Sequence, residues 1–251
     1  MGRTLELTNE RQPRSPLRVF TLGTIPFDEF LTFQRRLVYD ISGDPTEAAI
    51  VICDHPPGIS IGRDGSRADV RLTPEELTAR EWPVRWVSRG GGCILHLPGQ
   101  LCIYPFLPIA EMGLTAGEYV RTLTGAVADI ARATVRPIPV RAEPATVAIG
   151  SRRVAQIGAA IRSGVSSFGA VLNVRPDLEL YRGIDCDGDP MPMTSLFRES
   201  PNRVHIDSVR EDAIEILARH FGYERHTIIY DHPALRPPPR HHANIDRRCR
   251  I

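Results

Sequence analysis

The chain has 251 residues, of which 42% are hydrophobic and 24% are charged, and its formal net charge is +1 at pH 7. These values are typical of a soluble globular protein and exclude a binder that relies on a strongly basic surface, such as many nucleic-acid-binding proteins. No run of 18 apolar residues occurs, so no transmembrane helix is expected. The five cysteines are odd in number and irregularly spaced, which favours a reducing cytoplasm over a disulfide framework.

The sequence contains no lysine, so all 31 basic residues are arginine. A phosphate-binding loop of the Walker type needs a lysine, and so does an enzyme that forms a Schiff base with its substrate. The composition therefore excludes both mechanisms.

The first half of the chain predicts a helix followed by short strands. Apolar residues recur at helical spacing from Phe27 to Ile41, and Pro26 suits the first turn of that helix. The other segments predicted in this half are strands over 48–55, 58–63 and 84–89 and a short helix over 74–82.

The second half predicts two longer helices around a group of strands. Thr115 and Glu118 form a capping-box pattern that opens a helix to about Thr134. A last helix is predicted over 209–221, with Gly222 just past its end. The predicted strands are 146–150, 153–162, 167–174 and 226–231, with hairpin turns at 150–151 and 163–164.

Helices and strands do not alternate strictly, which indicates an α+β fold with a mixed, largely antiparallel sheet and flanking helices. Residues 18–232 are expected to form a single domain, because no linker interrupts them. Residues 1–17 are predicted to be a flexible arm. Residues 233–251, rich in proline and arginine, are predicted to be an extended or disordered tail.

The densest motif is "SRGGGCILHLPGQ", from Ser88 to Gln100. Its three consecutive glycines, 90–92, allow close approach of backbone to a ligand and are expected to expose N–H donors. Arg89 can fix a carbonyl or an anion through its planar guanidinium, and His96 follows across a tight turn. The alternative is a glycine-rich hairpin with a structural histidine.

A second stretch, "RGIDCDGDP" from Arg182 to Pro190, places Cys186 among three aspartates. The residues alone leave open a thiol nucleophile, a metal loop and a plain acidic turn. A calcium loop would need glycine at Pro190 and glutamate at Leu196, so no metal site is expected.

These motifs resemble those of the octanoyltransferases, the acyl carrier protein–protein transferases of lipoic acid synthesis. "RGGGCILHLPGQL" is similar to their arginine–glycine–glycine, histidine and Pro-Gly-Gln signature, and "HPPGISIGR" (55–63) to their upstream Gly-Arg strand. Residues 152–188 follow their central block through "LNV" at 172–174, and "MTSL" (193–196) fits what comes after. The resemblance covers roughly residues 20–225.

The resemblance implies the fold of the biotin and lipoate ligases. It also implies transfer of an octanoyl group from octanoyl-acyl carrier protein to a cysteine thiolate, and then to the lysine of a lipoyl domain. The acceptor would be a 2-oxoacid dehydrogenase or the glycine cleavage H protein, and no cofactor is implied. The residues expected to line the acyl pocket are Arg89, Gly90, Gly91, Gly92, Cys93, Ile94, Leu95, His96, Gln156, Ile157, Gly158, Gly169, Ala170 and Val171.

The sequence departs from this family at both members of its catalytic pair, a lysine and a cysteine. Arg153 occupies the lysine position, and Asp187 occupies the cysteine position, with Cys186 one residue earlier. We therefore expect Cys186 to be the acceptor thiol and Arg153 to stabilise its thiolate, against the opposing charges of Asp185 and Asp187. Because arginine cannot accept a proton, His96 is the candidate base, and a slow or inactive enzyme is expected.

Two rival functions follow from the same motifs. A non-catalytic relative would bind an acyl chain or a lipoyl domain, whereas an ATP-dependent lipoate or biotin ligase would need the superfamily lysine that this chain lacks. Cys93, inside the glycine motif, is a second and less favoured nucleophile. The protein is expected to be a cytoplasmic monomer without a nucleic-acid or membrane partner.

Overall fold

The computed structural model describes residues 15–186 and 191–232. Its helices are α1 (Phe27–Gly43), α2 (Pro74–Ala79), α3 (Ala116–Val135), α4 (Leu196–Glu199) and α5 (Ile206–His220). Its strands are β1 (Leu17–Thr24), β2 (Ala49–Asp54), β3 (Gly58–Ile61), β4 (Val84–Trp86), β5 (Cys93–His96), β6 (Gln100–Phe106), β7 (Val140–Glu143), β8 (Thr146–Ile149), β9 (Arg152–Arg162), β10 (Val165–Asn173) and β11 (His226–Ile229).

Eight strands form one sheet in the order β11-β1-β2-β6-β10-β9-β8-β7, and β4-β3-β5 form a second, smaller sheet. In the large sheet β1 pairs with β11 and β2 in parallel, and the remaining five pairings are antiparallel. This arrangement confirms the predicted α+β class with a mixed, largely antiparallel sheet and flanking helices.

The two faces of the large sheet bury different partners. One face packs against α3 and α5, whose Leu123 and Leu217 lie in a core with Ile103 of β6. The other face packs against α1 through Phe30 and Phe33. Each fully buried side chain of this kind stabilises the fold by about 1.5–3 kcal/mol.

The small sheet lies against the end of β9 and carries its own apolar core. Ile59, Ile61 and Leu95 are buried there together with Cys93 and Cys186. Two hydrogen bonds join this layer to β9: the Gly90 N–H donates to the Ala159 carbonyl at 2.9 Å, and Gln156 Nε2 donates to the Cys93 carbonyl at 3.2 Å. The narrow space between the two sheets is where the predicted site residues converge.

Several sequence predictions are confirmed at the level of elements. The helix that begins at Phe27 continues to Gly43, and the Thr115–Glu118 capping box is present at the start of α3. The predicted strand over 84–89 is shorter, because residues 88–92 turn into the glycine loop. The last long helix begins at Ile206, three residues before the predicted start.

Strands β1, β5 and β7 were not predicted, whereas the apolar run around Cys102, interpreted as strand-like without bounds, forms β6. The expected N-terminal arm overlaps β1 at Leu17, which is fully buried. Residues 1–14 and the whole of the predicted 233–251 tail lie outside the described residues.

Candidate acyltransferase site

Arg89 fastens the glycine loop to the small sheet. Its guanidinium donates to the carbonyls of Gly90 and Gly92, each at 3.0 Å, and to the carbonyl and hydroxyl of Ser60, each at 2.9 Å. Only 2% of the residue is exposed, so its charge is solvated by these oxygens in place of water. Arg89 was predicted to bind a carbonyl or an anion of a ligand. The carbonyls that it binds in the structure belong to the protein's own backbone.

The expectation that the glycine loop exposes free N–H donors is wrong for Gly90 and Gly91. The Gly90 amide is bonded to Ala159, and the Gly91 amide donates to the Asp64 carboxylate at 2.8 Å. Glycine is required in this region for packing: a Cβ on the neighbouring Gly62 would lie 2.2 Å from the Gly91 carbonyl oxygen. The loop closes the end of the site and is held by its own hydrogen bonds.

A narrow apolar slot lies between Arg89 and the β9–β10 hairpin. Gly158 and Gly169 are directly opposite one another on these strands. A Cβ on Gly158 would lie 2.9 Å from the Arg89 side chain, so this glycine leaves room for the Arg89 stem. The free volume of the slot is about 10 Å³, which is close to the space that a single water needs. This slot is the candidate for the predicted acyl pocket and is called the acyl slot below. The residues that line it are Phe27, Ser60, Arg89, Ile94, His96, Tyr104, Gly158, Phe168, Gly169 and Val171.

Strand alternation divides the predicted pocket residues between two faces. Ile157 and Ala170, which are paired across β9 and β10, lie in the core against α3 and are not part of the slot lining. Cys93 and Leu95 belong to the core of the small sheet, and the Cys93 thiol lies 3.6 Å from the Ser66 carbonyl. Of the predicted pocket residues, those that border the slot are Arg89, Ile94, His96, Gly158, Gly169 and Val171, whereas Gly90, Gly91, Gly92 and Gln156 are also outside its lining.

His96 stands at the inner end of the slot in a buried aromatic cluster. Its Nε2 lies 2.9 Å from the Ser60 hydroxyl, and its ring lies 4.7 Å from that of Phe27 and 5.2 Å from that of His55. Its Nδ1 has no hydrogen-bond partner among the described residues. Burial, reinforced by the nearby His55 and Arg89, lowers the pKa of His96 well below its usual value, so the ring is neutral at pH 7.

His55 and Cys102 complete this cluster, and sequence reasoning missed both as neighbours of the site. Possible ligand atoms of His55, His96 and Cys102 lie within 4.8 Å of one another. Both ring nitrogens of His55 are engaged, with Nδ1 2.8 Å from the Ile25 carbonyl and Nε2 2.9 Å from the Tyr104 hydroxyl. The His55 ring is therefore fixed by hydrogen bonds to Ile25 and Tyr104, outside this group of three.

Arg153 and Cys186, the predicted catalytic pair, are in direct contact. Arg153 Nη1 donates to the Cys186 carbonyl oxygen at 3.0 Å. The two residues are 2% and 6% exposed, and Cys186 shares an apolar cluster with Cys93 of the glycine motif. The thiol residue thus lies inside the protein beside the glycine loop, next to a permanent cation.

A β-bulge gives Arg153 its orientation. Ala155 pairs with Val147 and Arg153 pairs with Ala148, so Val154 is an extra residue on β9. In a regular strand, residues three or five apart point to opposite faces, and one inserted residue restores them to the same face. The bulge therefore turns Arg153 toward the side occupied by Gln156 and Gly158.

Ion pairs and hydrogen bonds anchor the chain on both sides of the Cys186 segment. Before it, Asp185 accepts from Arg71 at 2.6 and 2.9 Å, and this exposed pair offsets the charge predicted to oppose the thiolate. After it, Thr194 donates to Glu199, which also accepts two bonds of 2.7 Å from Arg152. Asp187, predicted to occupy the family's cysteine position, lies with residues 188–190 outside the described residues.

A buried polar network connects two of the quoted motifs. Gln100, from "LPGQ", donates to Asn173, from "LNV", at 3.1 Å and to the Tyr181 hydroxyl at 2.8 Å. Asn173 also donates to the Thr194 carbonyl at 3.0 Å. Burial, with a smaller contribution from Cys186, raises the pKa of Tyr181, so its hydroxyl stays neutral. These residues hold β6, β10 and the segment after Cys186 in fixed positions, a role that their place in the motifs had not indicated.

The chain matches the family model of the lipoyl protein ligase A/B catalytic domain over residues 27–218. The chain belongs to this family. Its relatives include the mitochondrial octanoyltransferase LIP2 of Arabidopsis thaliana, 29% identical over 85% of this chain and 92% of the relative. An octanoyltransferase of Chloroflexus aurantiacus is 31% identical over 83% of this chain and 95% of the relative. The resemblance to the octanoyltransferase family is thereby confirmed.

Solved structures of lipoate protein ligases share the fold. A bipartite lipoate protein ligase of Thermoplasma acidophilum matches with a TM-score of 0.63 at 16% identity, over 87% of this chain and 88% of the ligase. A lipoate-protein ligase A bound with ATP matches with a TM-score of 0.62 at 16% identity, over 87% and 90%. The predicted lipoate-ligase-like architecture is confirmed. None of the described helices is both long and apolar enough to cross a bilayer.

Proposed function

We propose that this protein is an acyltransferase that moves an octanoyl group from acyl carrier protein to the lysine of a lipoyl domain through a thioester on Cys186. The observation that supports this most directly is the buried contact between Arg153 and Cys186, at the positions where the family carries its catalytic lysine and next to its catalytic cysteine. Its octanoyltransferase relatives support the substrate class.

In the first half-reaction the Cys186 thiolate attacks the thioester carbonyl of the acyl donor. A bond forms between Cys186 Sγ and the acyl carbon, and the thiolate of the carrier leaves. Arg153 contributes a permanent positive charge beside the attacking sulfur, which favours the thiolate over the thiol. The hydrocarbon chain enters the acyl slot, where burial contributes about 0.8 kcal/mol for each methylene.

In the second half-reaction the amine of the lipoyl-domain lysine attacks the Cys186 thioester, an amide bond forms and Cys186 departs. Arg153 cannot take the amine's proton, because its pKa lies above about 12. The described contacts of His96 are with Ser60, Phe27 and His55 and do not include Arg153 or Cys186. We therefore assign the proton to the departing thiolate, which becomes a thiol, and keep His96 as part of the slot wall.

The test is the intact mass of the protein after incubation with octanoyl-acyl carrier protein. The expected result is one octanoyl adduct that is sensitive to hydroxylamine, is lost in Cys186→Ser and is retained in Cys93→Ser. Discharge of this adduct by a lipoyl domain, with an octanoyl amide appearing on the domain, completes the cycle. An adduct that is lost in Cys93→Ser instead would move the nucleophile to the glycine motif.

A second candidate function is binding of an acyl chain without transfer. It is favoured by the use of Arg153 Nη1 to anchor the Cys186 carbonyl, which commits part of the guanidinium to structure. Octanoate binding to the wild-type protein with no adduct on any cysteine would support this function.

The proposed compartment is the cytoplasm. Cys53 and Cys102, buried in the core, are free thiols, in keeping with reducing surroundings.

A further inference from the structure

The backbone of Arg153 is bonded to a segment that follows Cys186 in the chain. The Arg153 N–H donates to the Pro192 carbonyl at 2.9 Å, and the Thr194 N–H donates to the Arg153 carbonyl at 2.8 Å. These two bonds pair Arg153 with Met193 in an isolated parallel bridge. The chain around Cys186 therefore contacts Arg153 twice, once through the Cys186 carbonyl on its guanidinium and once through this bridge on its backbone.

The carboxylate of Glu199 ties this segment to strand β9. It accepts two hydrogen bonds of 2.7 Å from Arg152, the neighbour of Arg153 on β9, and a further one from the Thr194 hydroxyl. Only 8% of the Glu199 side chain is exposed, and hydrogen bonds to a carboxylate are stronger than those between neutral groups. Arg152, Thr194 and Glu199 are called the Glu199 clamp below.

Glu199 itself is attached to the large sheet through its helix, α4. The Phe197 N–H donates to the Val174 carbonyl at 2.9 Å, directly after β10. Leu196 is fully buried in the core that the sheet forms with α3 and α5. The carboxylate therefore has a fixed position, and the clamp holds its two partners relative to that position.

The two partners of Glu199 depend on it to different degrees. The Arg152 side chain is 40% exposed, so water can replace the carboxylate there. Thr194 is fully buried, and its hydroxyl would lose its acceptor if Glu199 were replaced. A buried hydroxyl without a partner is costly, so the segment would shift until the hydroxyl found one. Loss of Glu199 therefore acts on Arg153 mainly through Thr194, whose N–H is bonded to the Arg153 carbonyl.

We propose that Glu199 is a positioning residue of the transferase: through Thr194 it fixes the segment bonded to Arg153, and so keeps the guanidinium beside Cys186. This inference rests on the proposed function, because it takes Cys186 to be the acceptor thiol and Arg153 to be the cation that favours its thiolate.

The test is the pH dependence of the alkylation of Cys186 by iodoacetamide, measured in the full-length protein by mass spectrometry of the Cys186 peptide. In Glu199→Gln we expect the midpoint of the profile to move to higher pH. The rate at neutral pH should fall roughly tenfold while the plateau at high pH stays near that of the wild type, because Arg153 then favours the thiolate less. A merely structural role would expose Cys186 and raise the rate at every pH, and a midpoint that does not move would overturn the inference.

The matched control is Glu47→Gln, which removes the same charge from an ion pair with Arg18 of β1, 3.0 Å in length. It is expected to keep the wild-type profile. A shift in Glu47→Gln equal to that in Glu199→Gln would show that any loss of negative charge has this effect, and would contradict a specific role of the clamp.

Two substitutions of Thr194 test the route and decide the question if Glu199→Gln fails to fold, which circular dichroism detects. Thr194→Val removes the hydroxyl and is expected to move the midpoint in the same direction as Glu199→Gln. Thr194→Ser keeps the hydroxyl and should retain the wild-type profile. A wild-type profile in Thr194→Val would overturn the route through this residue.

Formation of the octanoyl adduct distinguishes failure of this inference from failure of the proposed function. If the wild type and Glu199→Gln acquire the adduct on Cys186 at equal rates, the transferase stands and the positioning role of Glu199 is wrong. If the wild type acquires no adduct on any cysteine, the proposed function is wrong, and the inference falls with it.

Discussion

At the scale of single residues, the proposed site rests on Arg153, the guanidinium that we expect at the position of the family's titratable lysine. Arg153 is almost fully buried, and a charge in that position needs oxygen partners. The Cys186 carbonyl supplies one of them, so the same contact that solvates the cation also holds the thiol residue beside it. The Arg153 side chain therefore supplies both the positive charge near Cys186 and the hydrogen bond that positions this residue.

Substitutions of Arg153 separate these two effects. Arg153→Gln removes the charge and is expected to slow alkylation of Cys186 by iodoacetamide at neutral pH by roughly tenfold, because no cation then favours the thiolate over the thiol. Arg153→Lys keeps the charge and should retain a rate near that of the wild type. The labelling rate is measured by mass spectrometry of the Cys186 peptide, with circular dichroism as a check of folding.

The outcome that would contradict charge stabilisation is equal slowing in both Arg153 variants. Equal rates in wild type, Arg153→Gln and Arg153→Lys would show that the cation has no influence on the sulfur.

At the scale of elements, the bulge at Val154 explains why sequence patterns could not define the site completely. The motifs predicted the β9–β10 hairpin and brought the right segments together, and Gly158 and Gly169 do face the slot. Regular alternation, however, would turn Arg153 away from Gln156, and an inserted residue leaves no signal in hydrophobic periodicity.

Close packing of β10 on β6 leads to a prediction about Gly169. A Cβ at this position would lie 2.1 Å from the Ile103 carbonyl oxygen, a backbone atom that cannot rotate away. Gly169→Ala is expected to lower the free energy of unfolding by at least about 1–3 kcal/mol, the usual cost of overpacking. At about 2–4 °C for each kcal/mol, the decrease in Tm is measurable by thermal unfolding.

The control for this substitution is Gly23→Ala, at a glycine where an added Cβ meets nothing within 4 Å. It is expected to leave Tm close to the wild-type value. A Gly169→Ala protein as stable as Gly23→Ala would show that β6 and β10 can separate without cost.

At the scale of the whole molecule, the histidine cluster is where the separate layers meet. Phe27 comes from α1, His96 from the small sheet, Tyr104 from the large sheet and His55 from the loop that connects the two sheets. The sequence identified His96 through its motif but gave no sign of His55, because only the packing of the two sheets places these rings together. The slot wall therefore forms only when α1 and the two sheets pack together. We expect a change that destabilises this wall to lower the free energy of unfolding of the whole domain.

Protonation of His55 provides the test of this coupling. Burial lowers the pKa of His55 to about 4 in the folded protein, compared with an ordinary value of 6.5. The unfolded chain therefore binds the proton more tightly, so this contribution to stability is complete above pH 6.5 and is lost as the pH falls toward 4. At about 1.4 kcal/mol per pKa unit, the loss from this residue is about 2 kcal/mol by about pH 5, and His96 acts in the same direction.

The measurement is the free energy of unfolding by urea between about pH 7 and about pH 5, a range in which most carboxylates remain ionised. Wild type is expected to lose stability steadily on acidification, and His55→Gln is expected to show a shallower dependence, because one of the two buried imidazoles has been removed. His205→Gln replaces an exposed histidine and should keep the wild-type slope. The same pH dependence of the free energy of unfolding in His55→Gln and His205→Gln would contradict this prediction. Protonation of the buried histidines would then not be the cause of unfolding in acid, and the packing of the layers at the slot wall would not determine stability.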